Sequence, residues 1–327
     1  MQRHGLMIKI AVLGPIPRDT IYTHQEEVIH KYGCVTHPVI ALSKLLGDDG
    51  RVIPISHVHQ KDYEAILEVF KPYSNIDTTH IGYKDDRGTI IELRFIDQNN
   101  RLEKQTACMK PILPEDLPDS DDIDAYVFVP ITDFEISLST LRHIKEHKKG
   151  LIIFDAHGPT TTMSMTGDRY RKFWVDMDEW LPFIDVLKMN LEESQACWFK
   201  NEYEYEEMTS YEEDKTDHID AMAEHVLSKG VSYFYVTLDS RGCVVYYKED
   251  TTTVKKFIKS VFMKDVIDTT GCGDSFAGGL AYGFSLFKDP IKAAQYANTL
   301  GALRTQGKTF EVFKNRKETE KLISNHY

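Results

Sequence analysis

The run Asp268-Thr-Thr-Gly-Cys-Gly-Asp274-Ser-Phe-Ala-Gly-Gly279 sets a glycine-framed stretch of backbone and a carboxylate at the start of one helical pattern. Residues 264–267 read as the end of a strand, and residues 275–286 carry apolar side chains at helical spacing. The first N–H groups of a helix have no partner within it, and the helix dipole adds partial positive charge there. Backbone at Gly271, Cys272 and Gly273 can therefore hold an anion without a basic side chain. Asp274 would repel that anion if binding were the only task. It fits where a carboxylate removes a proton from a hydroxyl that attacks phosphorus while the N–H groups stabilise the transferring group. The plain alternative is a glycine turn followed by an ordinary N-terminal helix charge. A dinucleotide fingerprint would need glycine where Phe276 stands, and no G-x-x-x-x-G-K-[ST] occurs, so two other phosphate motifs are excluded.

These residues need a scaffold. Apolar runs at 8–13, 52–55, 126–129, 151–154, 184–189 and 233–238 alternate with amphipathic stretches at 35–46, 63–70, 135–147, 169–180, 191–199 and 217–229. Such alternation predicts an α/β fold, a mostly parallel sheet with helices on both faces and ligands at the carboxyl ends of the strands. Residues 79–110 break the rhythm and read as two or three antiparallel strands, with turns at 85–88 and 98–100. With residues 15–24 they are expected to form a small β-sheet lid on one domain spanning 1–327. Residues 301–304 and the Lys- and Glu-rich tail read as a final helical segment.

Composition narrows the class. A net charge of -12 argues against nucleic acid or an anionic membrane as partner, and no apolar run approaches the roughly 20 residues a membrane helix needs. The start lacks the long apolar core of a signal peptide, and Met7 is read as the natural first residue. Five cysteines without C-x-x-C spacing fit reduced thiols and a cytoplasmic location.

The sequence Asp268-Thr-Thr-Gly-Cys-Gly-Asp274 resembles the D-T-x-G-x-G-D signature of the ribokinase-like (PfkB) carbohydrate kinases. The resemblance implies Asp274 as general base, with Gly271, Cys272 and Gly273 as anion hole for the γ-phosphate of ATP. Asn190-Leu-Glu-Glu193 resembles the family's N-x-x-E, which implies that Asn190 serves ATP and Glu193 serves Mg²⁺ through water. By residue type alone, the same four residues make a helix N-cap with a capping-box partner, and the two roles are compatible. Thr237-Leu-Asp-Ser-Arg-Gly242 resembles the nucleotide-contacting T-x-G-x-x-G, with Asp239 in place of the first glycine. Residues 293–302 resemble the adenine-side helix, with Asn298 lining the base; their plain reading is a small-residue packing helix. Asp268 and Thr270 match positions that serve a monovalent cation, K⁺, in many members.

The amino-terminal half resembles the family loosely. Asp19 stands where the family binds sugar hydroxyls, but G-G-x-x-x-N reads Tyr32-Gly33-Cys-Val-Thr-His37. Glycines expected before Asp62 are replaced at His57-Val-His59, and Asp155-Ala-His157-Gly-Pro159 lacks the Arg of D-x-N-x-R. Asp19, Gly33, His37 and His57, with His59 as an adjunct, are accordingly the candidate substrate residues, for something other than plain ribose or fructose. Two histidines alternating on a strand without a third ligand make a weak metal site; their plain reading is solvent-facing strand ends. The resemblance thus implies an ATP-dependent kinase acting on a hydroxymethyl group of a small sugar or sugar derivative, with a homodimer contact through the lid. The alternatives are a nucleoside kinase of the same fold and a non-catalytic nucleotide or sugar sensor.

Overall fold

The computed structural model describes residues 7–23, 25–96, 101–198 and 214–327. Its main sheet is built from β1 (Ile8–Leu13), β4 (Gly50–His57), β5 (Ile81–Gly82), β8 (Ala125–Phe128), β9 (Leu151–Asp155), β12 (Val186–Asn190), β13 (Tyr233–Thr237), β14 (Gly242–Glu249) and β15 (Thr252–Lys259). Their spatial order is β15-β14-β13-β12-β9-β8-β1-β4-β5. From β5 to β13 every pairing is parallel, and β14 and β15 close one edge as an antiparallel hairpin. The chain leaves β1 for β4 on one side and later returns to β8 on the other. This reversal opens a crevice beyond the carboxyl ends of β1 and β8, where open α/β sheets bind ligands.

Side-chain alternation explains the layering. Ile10, Val12, Val52, Val127, Ile153 and Tyr235 face one way, against α1 (Thr36–Leu46), α7 (Cys272–Phe287) and α8 (Pro290–Arg304). Ala11, Leu13, Phe128, Phe154, Leu187 and Val236 face the other way, with Leu141 of α3 (Leu138–His147) and Met222 and Val226 of α6 (His218–Ser228). A strand buried on both faces reads as a near-continuous apolar run, which is why these strands stood out in the sequence. Among the described residues no helix is long and apolar enough to cross a membrane.

A separate four-stranded sheet has the order β3-β2-β6-β7, from β3 (Val28–Tyr32), β2 (Arg18–Tyr22), β6 (Ile90–Phe95) and β7 (Arg101–Ala107). Its make-up differs from the expected one. Residues 81–82 join the main sheet, β3 takes an edge that the sequence pattern did not show, and β2 runs parallel to β6. Arg18 and Tyr32 of this sheet both bind Asp62 of α2 (Gln60–Phe70), at 3.0 and 3.2 Å, which ties it to the body.

Two further expectations are corrected. Residues 169–180 form β11 (Arg169–Arg171), paired with β10 (Thr161–Met163), and then the short α4 (Met177–Trp180). The helical reading failed there because Trp174, Met177 and Trp180 mimic a longer helical period, while Trp174 lies outside the one-turn helix and packs with Trp180 against Phe154. Residues 264–267 form no strand, and Ile267 N donates to Thr305 O. The turn expected at 98–100 and the end of the helix expected to reach Phe199 lie outside the described residues, while α5 runs Leu191–Cys197.

Helices α7 and α8 approach closely because Gly279 and Gly283 present bare backbone to Ala297 and Ala293. A Cβ at either glycine would stand 2.4 Å from the facing Cα. On an open helix Gly→Ala is favourable by about 1 kcal/mol. Here the packing term has the opposite sign, and Gly279→Ala or Gly283→Ala is expected to destabilise by about 1–3 kcal/mol, read as a lower denaturation midpoint at unchanged m-value.

Candidate active site

Gly271 caps α7 with a φ of 85°, the left-handed region that favours glycine. The first intrahelical bond runs from Ser275 N to Gly271 O at 2.9 Å, so the N–H groups of Gly273 and Asp274 precede the ladder at the positive end of the dipole. Cys272 N instead donates to Thr269 O at 3.3 Å. Of the expected backbone donors Cys272 N is thus engaged, while Gly273 N and the neighbouring Asp274 N precede the ladder.

Asp274 meets the crevice. The Cys34 thiol lies 3.8 Å from its Oδ1 and 3.1 Å from the carbonyl of Val129, just beyond β8. Cys34 follows Gly33, whose missing Cβ leaves room for the Asp19 carboxylate; a Cβ there would stand 2.3 Å from Asp19 Oδ2. Asp19, Gly33, Cys34 and Asp274 thus line one location, although they come from β2, the turn before α1, and α7. Sequence reasoning missed Cys34, and its adjacency to Gly33 was the available signal.

Lys188 lies beneath the loop. Its Nζ donates to Asp155 Oδ2 at 2.8 Å, both side chains are buried, and a Cβ on Gly273 would be 3.2 Å from the ammonium. Burial disfavours the charged Lys188, yet Asp155 and Glu193 outweigh it and hold its pKa above the ordinary value. Burial raises the Asp155 carboxyl, but the pair is ionised, because a neutral Asp155 would strip a buried ammonium of its contact counter-ion. Asp274 is pushed up to about 7, first by burial and then by Asp155, against the pull of Lys188, the Cys34 contact and Arg304. A carboxylate that titrates near neutrality suits a general base. Lys188 was legible in the sequence only as a lone charge inside an apolar strand.

At the end of β12, Asn190 and Glu193 form a reciprocal capping box: Asn190 N donates to Glu193 Oε2 at 2.8 Å, and Glu193 N donates to Asn190 Oδ1 at 2.7 Å. Glu193 is fully buried, and its Oε1 also takes Asn190 Nδ2 at 3.0 Å and His157 Nδ1 at 2.9 Å. Burial would raise this carboxyl, but Lys188, His157 and Arg171 hold it well below the usual range. Both oxygens of Glu193 are thus engaged in fixing Asn190 and His157. Among the described residues no group of three or more His, Cys, Asp or Glu is arranged to hold a metal ion. Arg171 Nε reaches Glu192 at 2.9 Å, so β11 brings to this corner the arginine that the Asp155-Ala-His157 stretch lacks.

Thr237 sits beside Asn190 in register at the ends of β13 and β12. Asp239 adopts a φ of 51°, the left-handed conformation its side chain tolerates. Gly242, with a φ of 126°, could not carry a Cβ, which would lie 2.1 Å from Ile258 O. Asn298 is buried, and its Nδ2 donates to the carbonyls of Ile258 and Lys259 at 3.2 Å, bracing α8 against β15.

The histidines are reassigned. His37 is 1% exposed, with its ring packed under Gly271, where a Cβ would come within 2.3 Å. It supports the loop from below and does not face an acceptor. His57 Nε2 contacts Asp116 Oδ2 at 3.0 Å, and the His59 ring caps α2 by accepting from Lys61 N at 3.0 Å. Among the described residues no contact links either to Asp19 or Asp274.

Asp268 does not fit a monovalent-cation site. Its Oδ2 accepts from Arg304 Nη2 at 2.7 Å and Lys31 Nζ at 3.0 Å, and its Oδ1 accepts from Thr270 N at 2.9 Å. Burial would raise this carboxyl, but Lys31 and Arg304 hold it well below the ordinary value. Thr270 Oγ1 is buried without a partner among the described residues, but the carboxylate it would share with an ion already faces the Lys31 ammonium and the Arg304 guanidinium.

The description "pfkB family carbohydrate kinase" matches residues 64–310. The chain belongs to this family. A deoxyribokinase of Salmonella typhi is 30% identical over 122 residues, 36% of this chain and 38% of that protein. A 2-dehydro-3-deoxygluconokinase of Bacillus subtilis (strain 168) is 34% identical over 87 residues, 27% of this chain and 26% of that protein. The chain thus spans less than two fifths of the length of these curated relatives. Among solved structures, a Vibrio cholerae O395 fructokinase with fructose, ADP and potassium superposes at a TM-score of 0.72 and 17% identity, covering 98% of this chain and all of that one. A pyrophosphate-dependent kinase of the ribokinase family, with a pyrophosphate analog and myo-inositol, does so at 0.71 and 17%, covering 96% of this chain and 99% of that one. These likenesses establish the ribokinase-like fold. The pfkB match begins after Asp19, Gly33 and His37, the part of the sequence that departs most from the family pattern.

Two outcomes test the electrostatics. If Asp274 must be ionised to act, the acid limb of kcat/KM reports its pKa near 7. Asp155→Asn removes the anion that raises it and leaves Lys188 facing it, so the limb is expected at lower pH. A raised carboxylate pKa means that ionisation opposes folding, a penalty that grows as pH rises from the unfolded value near 4 toward the folded value and is complete above it. Asp274→Asn is therefore expected to melt higher than the parent at pH 8 and close to it at pH 4.

Proposed function

We propose that this pfkB-family chain transfers the γ-phosphoryl group of ATP to a hydroxymethyl group of a small sugar or sugar derivative. The observation that carries this reading is Asp274, tuned to about 7, at the head of α7 and beside the Asp19–Gly33 turn. Asp19 orients an acceptor hydroxyl toward Asp274. Asp274 takes the hydroxyl proton, the oxygen forms its bond to the γ-phosphorus in line, and the bond to the β–γ bridging oxygen breaks, releasing ADP. The N–H groups of Gly273 and Asp274, backed by the Lys188 ammonium, stabilise the charge on the transferring group. Mg²⁺ brought by the nucleotide would neutralise phosphate charge, and Asn190 and Thr237 stand at the strand ends that face it. The small sheet covers the acceptor and excludes water that would otherwise compete for the phosphoryl group. Val28 and Leu102, exposed on its outer face, support a dimer contact there.

A second reading, a nucleoside kinase, is favoured by one feature. A cavity of about 400 Å³ lies between the inner face of the small sheet and residues 266–269, lined by Ile21, Ile29, Phe95, Val266 and Ile267. Ile21 lies two residues beyond Asp19 on the same face of β2, roughly 7 Å along the strand. An acceptor with an apolar or planar appendage would fill it, and a bare polyol would not.

ADP release from Mg·ATP over sugars, sugar acids, polyols and nucleosides tests both readings, with pyrophosphate as a control donor. Asp274→Asn is expected to lower kcat on the best acceptor by about 10²-fold or more while nucleotide binding persists. Near-normal turnover in that variant would remove Asp274 from the base role. Ligand-induced melting shifts without turnover on any acceptor would instead point to a sensor.

A further inference from the structure

The buried guanidinium of Arg304 connects parts of the phosphate-site loop that are distant in sequence. Besides Asp268 Oδ2, it donates through Nη1 to Gly307 O at 2.5 Å and through Nε to His37 Nδ1 at 3.1 Å. Because Nδ1 accepts, the proton of neutral His37 is on Nε2, and that atom is buried beside Gly271 without a partner among the described residues. Arg304 therefore holds the loop at Asp268, where the carboxylate fixes Thr270 N, and again at Gly271 through His37. Lys31 adds a second cation to the same carboxylate from β3, so the edge of the small sheet is pinned to the loop.

These groups occupy what a monovalent cation would need. Such an ion replaces its hydration shell with several protein oxygens. Here the Asp268 carboxylate and the Gly307 carbonyl are already filled by fixed N–H donors. One carboxylate faces two permanent positive charges, and a further cation would enter against repulsion with no anion left to balance it.

We propose that Arg304, assisted by Lys31, is a built-in replacement for a monovalent metal ion, so that the phosphate-site loop is ordered without potassium. The proposal takes the 268–274 loop to be the phosphoryl site, as in the kinase reading, and its test therefore includes a readout that needs no turnover. Reaction rate and melting temperature are measured in potassium chloride and in tetramethylammonium chloride at equal ionic strength. The parent protein is expected to show rates within about twofold and no rise in melting temperature with potassium, since an ion that does not bind adds no stability. Activation of about tenfold, or a melting temperature that climbs with potassium, would overturn the proposal.

Arg304→Ala uncovers the oxygens. It is expected to be slow in tetramethylammonium and to recover about tenfold or more with potassium or free guanidinium, whereas Arg304→Lys, which keeps a charge, stays indifferent to potassium. An Arg304→Ala protein that matches the parent in tetramethylammonium would show that no cation is needed at this place and would also overturn it. If Arg304→Ala does not fold, Lys31→Met carries the comparison, with a weaker gain of potassium response expected and the absence of one counting against the proposal. If no acceptor is ever phosphorylated, the kinase reading fails on the rates, while the melting data still decide whether potassium binds.

Discussion

Buried negative charge is the constraint around which this molecule is organised. Asp19, Asp155 and Glu193 are nearly or fully inaccessible, and Asp274 faces them across the carboxyl ends of parallel strands, where a phosphate donor would add more anionic charge. Carboxylates packed this closely either bind protons or find cations. The fold supplies the cations from within: Lys188 for Asp155, Arg304 and Lys31 for Asp268, and Arg171 beside Glu193, which the His157 ring also hydrogen-bonds. Among the described residues Asp274 has no such ion pair, and burial together with the Asp155 charge raises its pKa to about 7.

The secondary structure serves this arrangement. Six parallel pairings align the carboxyl ends, so that Asp155, Asn190 and Thr237 arrive at one rim. Close packing of Gly279 and Gly283 against α8 sets α7 in place with its amino terminus toward that rim. The small sheet is tied by Arg18 to Asp62 and by Lys31 to Asp268, while backbone bonds between Gln105 and Gly167 connect its far edge to the β10–β11 hairpin that carries Arg171. Any movement of the small sheet therefore acts on the charged rim as well as on the acceptor crevice.

Much of this was legible in local sequence because its causes are local. The glycine loop before α7, the capping box at Asn190, the left-handed Asp239 and the β-α alternation each depend on residues within a turn or two of one another. The failures have local causes too. Aromatic residues from 174 to 180 imitate a helix because packing under Phe154 needs bulk and not a particular period. Strand β3 escaped notice because three of its five residues, His30, Lys31 and Tyr32, are polar or amphipathic, as suits an edge.

The sequence by itself determined that a glycine loop with a carboxylate opens a helix here, and that a mostly parallel sheet holds it. Only the tertiary structure decided which charges meet. Lys31 reaches Asp268 across 237 residues, and Arg304 reaches His37 across 267. A histidine that looked fit for a substrate became a support under Gly271, and an asparagine that looked fit for a base became a brace on β15. A residue's type states what it can donate or accept, and short-range geometry states where its backbone goes. Which partner it finds, and whether water reaches it, depends on chain segments that only folding brings together.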